Sequence, residues 1–187
     1  MLNVPIKGER EIGVRPTQVW DRLATVLSGV GSSLRPGEVI ELRSPLAEAP
    51  EGSEPDRIRV VAVQRHRRLA LETADTGKAG GHADLELEPS GSGTLVRLRA
   101  GLRLPGGPLP RFASLLFPRR YRLIRADIAS YALAEIEILA TDGNAQLPQN
   151  PFRHLPIVGK KLDSSNDEPL LLSLYQATTA DDAASAP

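Results

Sequence analysis

The stretch that most constrains this chain is RRYRLIRADIASYALAEIEILAT, Arg119 to Thr141. Tyr121, Ile124, Ile128, Tyr131, Ala132, Ile136 and Leu139 recur at steps of three and four, which places them on one face of a helix. Arg120, Arg122, Arg125, Asp127, Ser130 and Glu137 fall mostly on other faces. Pro118 suits the first turn, where no backbone N–H is needed. Asp142-Gly143-Asn144 suits the stop, because Gly and Asn accept a left-handed cap. A helix of this length spans roughly 30 Å, the width of a small domain. That is too long for a surface crossover, so the helix is expected to lie across a whole sheet.

The chain before it reads mainly as strands. Val4 to Val14 alternates, with Val4, Ile6, Gly8, Arg10, Ile12 and Val14 on one face and Lys7, Glu9 and Glu11 on the other. Arg10 on the apolar face has three readings: it reaches out to water, it pairs with a carboxylate, or it anchors an anionic ligand. PTQVWDRLATVL from Pro16 is a short helix that buries Val19, Trp20, Leu23, Val26 and Leu27. Glu38–Arg43, Arg57–Val63 and Leu69–Ala74 are further strands. The Pro-, Glu- and Ser-rich stretch SPLAEAPEGSEP between the first two reads as a loop. His82–Glu88 and Thr94–Leu104 form the clearest hairpin, joined by the glycine-containing PSGSG. Ala83, Leu85 and Leu87 share a face, as do Val96, Leu98, Ala100, Leu102 and Leu104. Acidic residues on the first strand oppose Arg97, Arg99 and Arg103 on the second, a modestly favourable pairing. One side of this sheet is therefore wet and the other covered.

Residues 1–141 read as one domain and 142–187 as an extension. The extension is expected to be partly disordered, with an apolar helix candidate at 168–176 (EPLLLSLYQ) and Asp167 as its cap.

Lys+Arg and Asp+Glu are both 23, so the net charge is zero. That argues against a general nucleic-acid binder, whose affinity rests on neutralising phosphates. The chain has no Cys, hence no disulfide framework and no thiolate site. His66, His82 and His154 lack spaced partners for a metal, and neither a metal nor a cofactor is expected. There is no phosphate loop and no nucleophile elbow. The N-terminus lacks a signal peptide's apolar core, and no apolar run is long enough to span a bilayer, so a cytoplasmic protein is expected.

The order is strand, short helix, antiparallel strands, long C-terminal helix. RPTQVWDRLATV resembles the strand-to-helix entry of the polyketide cyclase/dehydrase and START-like (SRPBCC) superfamily. RVVAVQRHRRLALET resembles that family's central hairpin, and HADLELEPSGSGTLVRLRAGLRL its following hairpin. LSGVGSSLRPG, after the short helix, lacks the aromatic stretch that the family has there. The resemblance spans roughly Val4 to Thr141. It implies an α+β helix-grip fold, in which a curved antiparallel sheet wraps around a long C-terminal helix with a short helix after strand 1. It also implies a hydrophobic cavity between sheet and helix, and it supplies no universal catalytic motif.

The cavity candidates are Arg10, Ile12, Val96, Leu98, Ala100, Ile124, Ile128, Tyr131 and Glu135. The expected function is binding or transport of a small hydrophobic ligand: a lipid, a quinone or a polyketide-like molecule. The first alternative is a cyclase or dehydratase, with Arg10, Tyr121, Tyr131 and Glu135 as the polar nominees. The second is an interaction protein whose tail fills its own or a neighbour's groove, as in a homodimer. Phe112, Phe117, Arg119, Arg120 and Arg122 combine apolar and basic groups in a way that suits a peripheral membrane contact.

Overall fold

The computed structural model describes residues 2–42, 56–74, 80–104, 118–148 and 170–185. Its elements are β1 (Leu2–Ile12), α1 (Pro16–Ser28), β2 (Val39–Leu42), β3 (Asp56–Gln64), β4 (Arg68–Thr73), β5 (Gly80–Ser90), β6 (Gly93–Leu104), α2 (Pro118–Ala140) and α3 (Leu170–Ser185). The strands form one antiparallel sheet in the order β1-β6-β5-β4-β3-β2. The chain thus starts at one edge, crosses by α1 to the other, and returns strand by strand to pair β6 with β1. The long helix α2 then lies on the inner face, closest to β1. This is the helix-grip arrangement, an α+β fold.

The alternation read in β5 and β6 sets the register. Leu85 faces Leu98, Leu87 faces Val96 and Ala83 faces Ala100, while Asp84 lies opposite Arg99 and Glu86 opposite Arg97. Both strands run further than their apolar pattern suggests, to a two-residue turn in which Gly91 takes φ +54°. β1 begins and ends two residues earlier than its alternation indicates. Pairing stops at Ile12, and the Val14 carbonyl instead accepts a 2.6 Å hydrogen bond from the fully buried Thr94 hydroxyl. β3 carries a bulge between Val60 and Ala62, which leaves Val61 exposed and turns Val60 inward.

The core lies between the inner face, α1 and the C-terminal half of α2. Trp20, Leu23, Val96, Leu133, Ile136 and Leu139 form its centre. The burial of α2 differs from a single stripe. From Ile128 to Ala140 it is buried on almost every side, including Ala134 and Ile138, because β1, α1 and α3 each cover part of it. Its stop is as the sequence indicates: Asp142 and Gly143 take positive φ, and the Gly143 N–H returns to the Ile138 carbonyl at 2.9 Å.

The C-terminal part differs from expectation. α3 extends to Ser185, well past residue 176, through residues expected to be disordered. Tertiary packing accounts for this: Leu171, Leu174 and Tyr175 pack onto the core, and such packing supplies most of a helix's stability in a protein. Asp167 lies outside the described residues.

The outer face is a charge ladder. Arg59 pairs with Glu72 at 3.2 Å, Arg97 with Glu9 and Glu88, and Arg99 with Glu86 at 3.6 Å. Arg68 holds Asp84 by two hydrogen bonds of 2.9 and 2.7 Å. That hydrogen bonding keeps the Asp84 carboxyl below its usual range, against the opposing push of partial burial, and the Arg68 charge, Arg99 and His82 act in the same direction. A depressed carboxylate stabilises the fold above its unfolded pKa, about 3.9, and the contribution is lost as pH falls through the folded value. Arg68→Ala should therefore raise the Asp84 pKa in an NMR titration and flatten the acid limb of stability, with little change in that limb's shape above pH ~5.

Candidate functional site

The register aligns the inward residues of four strands into rows. One row is Gly8, Leu98, Leu85 and Leu69, and the next is Ile6, Ala100, Ala83 and Leu71. In the first, all three leucines are buried. In the second, Ala100, Ala83 and Leu71 are only partly buried. Beyond it comes Gly81, whose N–H donates to the Thr73 hydroxyl at 2.8 Å. Along β5 the inward residue shrinks from Leu85 to Ala83 to Gly81, while Leu102 and Val4 share the register of Gly81 on β6 and β1.

Helix α2 runs along β1 in the direction opposite to that shrinkage, from Ile128 near Ile6 to Glu137 beside Arg10. Gly8 lies directly beneath it: a Cβ there would sit 2.9 Å from the Ala129 Cβ and 3.0 Å from the Leu133 Cδ1. Only glycine permits this approach, which fixes the helix on the edge strand. One turn back, Ile128 and Ala129 meet Ile6 and Ala100 in a small apolar cluster separate from the main core. Further back, Leu123 is 64% exposed and Ala126 and Asp127 are exposed. α2 packs on β1 and approaches β6 more slightly. Leu71, Ala83 and Ala100 pack against the edge of the main core, and Ile6 and Ile128 meet Ala100 beside it.

Of the cavity candidates, Ala100 and Ile128 meet in the small cluster with Ile6 and Ala129, and Ile12, Val96 and Leu98 lie in the main core. Tyr131 is half-buried on α2. The side chains of Tyr121 and Ile124 lie outside the described ones. Leu71 and Ala83 were not singled out from sequence, although Ala83 was visible as an inward neighbour of the hairpin.

Two of the polar nominees, Arg10 and Glu135, have structural partners. Arg10 is inward-facing, and its Nη2 lies 2.6 Å from Glu137 Oε2. That oxygen is buried and has no aligned hydrogen-bond donor among the described residues, so the contact is a charge pair rather than a directed hydrogen bond. Sequence reading placed Glu137 away from the buried face, and the inward Arg10 was the signal for it. Glu135 is 4% exposed, and its Oε2 accepts the Leu171 N–H at 2.9 Å. This sets a carboxylate at the N-terminal end of α3, where the helix dipole favours it. The dock is completed by Arg22, which holds Asp142 at 2.8 Å and stacks over the Tyr175 ring at 4.4 Å.

A hollow of about 250 Å³ lies between the edge strand β1 and α2, lined by Gly8, Arg10, Ala126, Ala129, Ser130 and Leu133 among others. Among the described residues no three His, Asp or Glu side chains converge as a metal site. His66, at φ +61°, packs edge-on against Trp20 at 6.1 Å. No helix among the described residues is long and apolar enough to cross a membrane. Phe112, Phe117 and His154 lie outside the described residues, as do the side chains of Arg119, Arg120 and Arg122.

No protein-family model matches this sequence, and no curated protein does. Solved structures do match. Protein SSP2350 from Staphylococcus saprophyticus aligns over 76% of this chain and 95% of its own at 14% identity and a TM-score of 0.48. Protein MLL2253 from Mesorhizobium loti aligns over 75% and 98% at 15% identity and 0.46. Ara h 8.0201 aligns over 75% and 99% at 14% identity and 0.45. The helix-grip assignment stands on the strand order and the placement of α2.

Proposed function

We propose that the chain binds a small apolar molecule in the space under the N-terminal half of α2, as a member of the START-like group that its motifs resemble. The observation that carries this is the Ala100–Ala83 pair. Sheet cores are filled by large side chains, whereas here two alanines face each other beside Leu71, all three only partly buried, and among the described residues of α2 it is Ile128 and Ala129 that meet Ala100. Ligand sites are typically apolar with few polar groups, and this opening fits that description. The engaged states of Arg10 and Glu137 favour binding over acid–base chemistry, since each spends its charge on the other.

The test is titration of the full-length protein with an anilinonaphthalene sulfonate dye, followed by native mass spectrometry and organic extraction of the purified protein. Saturable dye binding at one site per chain, competed by apolar compounds, is the expected result. Absence of saturable binding in a protein with a cooperative unfolding transition would sink the reading.

A further inference from the structure

β1 is an edge strand, and among the described residues only β6 pairs with it. Alternate residues of such a strand turn their N–H and C=O groups away from the neighbouring strand. Pro5 has no N–H to give to β6, which marks the outward set as Pro5, Lys7, Glu9 and Glu11. The hollow of about 250 Å³ runs along this edge. Four consecutive residues, Lys7 to Arg10, line it, so its floor is the edge of the strand rather than one of its faces. Its other wall is a single stripe of α2, Ala126, Ala129, Ser130 and Leu133, at steps of three and four. Gly8 adds no side chain to the space between them. A hydrogen-bonding edge beside an apolar overhang is the shape that receives an extended peptide.

We propose that β1 takes an extended segment of a partner protein as a further antiparallel strand across Lys7 to Glu11, with one apolar side chain entering the hollow opposite Gly8. The exposed charges of β1 state the chemistry of that segment. Lys7 lies opposite Arg99, so its cross-strand neighbour is a like charge and an acidic residue is wanted beside it. Glu9 shares Arg97 with Glu88, and Glu11 lies opposite Leu95, so both call for basic residues. Arg10 and Glu137 occupy the inner side next to the hollow, which leaves room for a small residue there. From its N-terminus the segment therefore runs basic, small, basic, apolar, acidic. Pro5 cannot donate to an incoming strand, which ends the pairing at Lys7. A second copy does not fit: paired about Gly8, two β1 strands lie about 5 Å apart, whereas the α2 helices above them need about 8–10 Å. The same charges guard the edge against indiscriminate pairing.

The test titrates the isotope-labelled full chain with the blocked peptide acetyl-Arg-Ser-Arg-Val-Glu-amide, followed by NMR and hydrogen exchange. Saturable shifts in β1 and along Ala126 to Leu133, with slower exchange of the Lys7 and Glu9 amides, are expected. The charge-reversed peptide Glu-Ser-Glu-Val-Arg should bind at least about tenfold more weakly. A copy N-methylated at the second arginine, opposite Glu9, should lose binding, because main-chain hydrogen bonds carry the affinity. Ser130→Trp, at an exposed helix position, should fill the hollow and abolish binding at an unchanged melting temperature. Lys7→Glu should weaken the parent peptide and favour one ending in arginine instead of glutamate. Absence of saturable shifts, equal binding of the charge-reversed peptide, or binding that survives Ser130→Trp overturns the proposal. Concentration-dependent dimerisation that slows the Lys7 and Glu9 amides without peptide also overturns it, giving the edge to a second copy. None of these outcomes touches the apolar site under α2, which the dye reports separately.

Discussion

Leu139→Ala should destabilise the protein by about 3 kcal/mol, the middle of the range for a buried leucine truncated in a packed core. Leu139 is 0% exposed and belongs to the main core cluster with Trp20, Leu23 and Val96. Three structural units meet there: the inner sheet face, α1 and the end of α2. The end of α2 is also pinned by polar contacts, Gln18 Nε2 donating to the Ala140 carbonyl at 3.0 Å and Arg22 holding Asp142. The cavity left by the substitution therefore cannot collapse by moving α2 alone. For a chain of this size the loss corresponds to a melting shift of about 6–12 °C. The internal control is Leu123→Ala on the same helix, 64% exposed, which should stay within about 0.5 kcal/mol of the parent. Equal effects at the two positions, measured by urea unfolding, would mean that α2 is packed evenly along its length and that no opening exists beneath its N-terminal half.

The contrast between those leucines marks what sequence could and could not convey. Strand alternation fixed the inward sets, because a period of two has one buried face. The β5–β6 hairpin was legible down to the opposition of acidic and basic residues. The helix stripe was legible in kind and misjudged in extent. A 3.6 period reports the first partner of a helix and says little about a second and third, so the buried Ala134 and Ile138 were not among the stripe read from sequence, whereas α2 is in contact with β1, α1 and α3. α3 itself was half visible: its apolar start LLLSLY signalled a helix, while the polar ATTADDAAS continues it only because the start is docked. Arg10 on an apolar face left pairing with a carboxylate as one of three readings and could not name Glu137, since pairing across a sheet and a helix leaves no fixed spacing. Gly8 was read as one more inward position. Its function, as the point where α2 touches β1, appears only when a Cβ is built there.

Ala100→Phe should weaken dye and ligand binding at least about a hundredfold while leaving the melting temperature unchanged or slightly raised. The argument is one of volume. Ala100 is partly buried, faces Ala83 across the ladder and touches the small cluster of Ile6, Ile128 and Ala129. A ring at that place fills the row with apolar surface that is now partly wet. Filling an existing void stabilises, whereas inserting the same ring into a close-packed core typically costs 1–3 kcal/mol. The sign of the stability change therefore reports whether the space is empty, independently of any ligand. Val96→Phe provides the opposite case. Val96 is fully buried in the main core, so overpacking there should destabilise by about 1–3 kcal/mol. If Ala100→Phe instead destabilises as Val96→Phe does and dye binding persists, the row is solid core and the dye sits elsewhere. The groove of about 250 Å³ between the β1 edge and α2 would then be the next place to look.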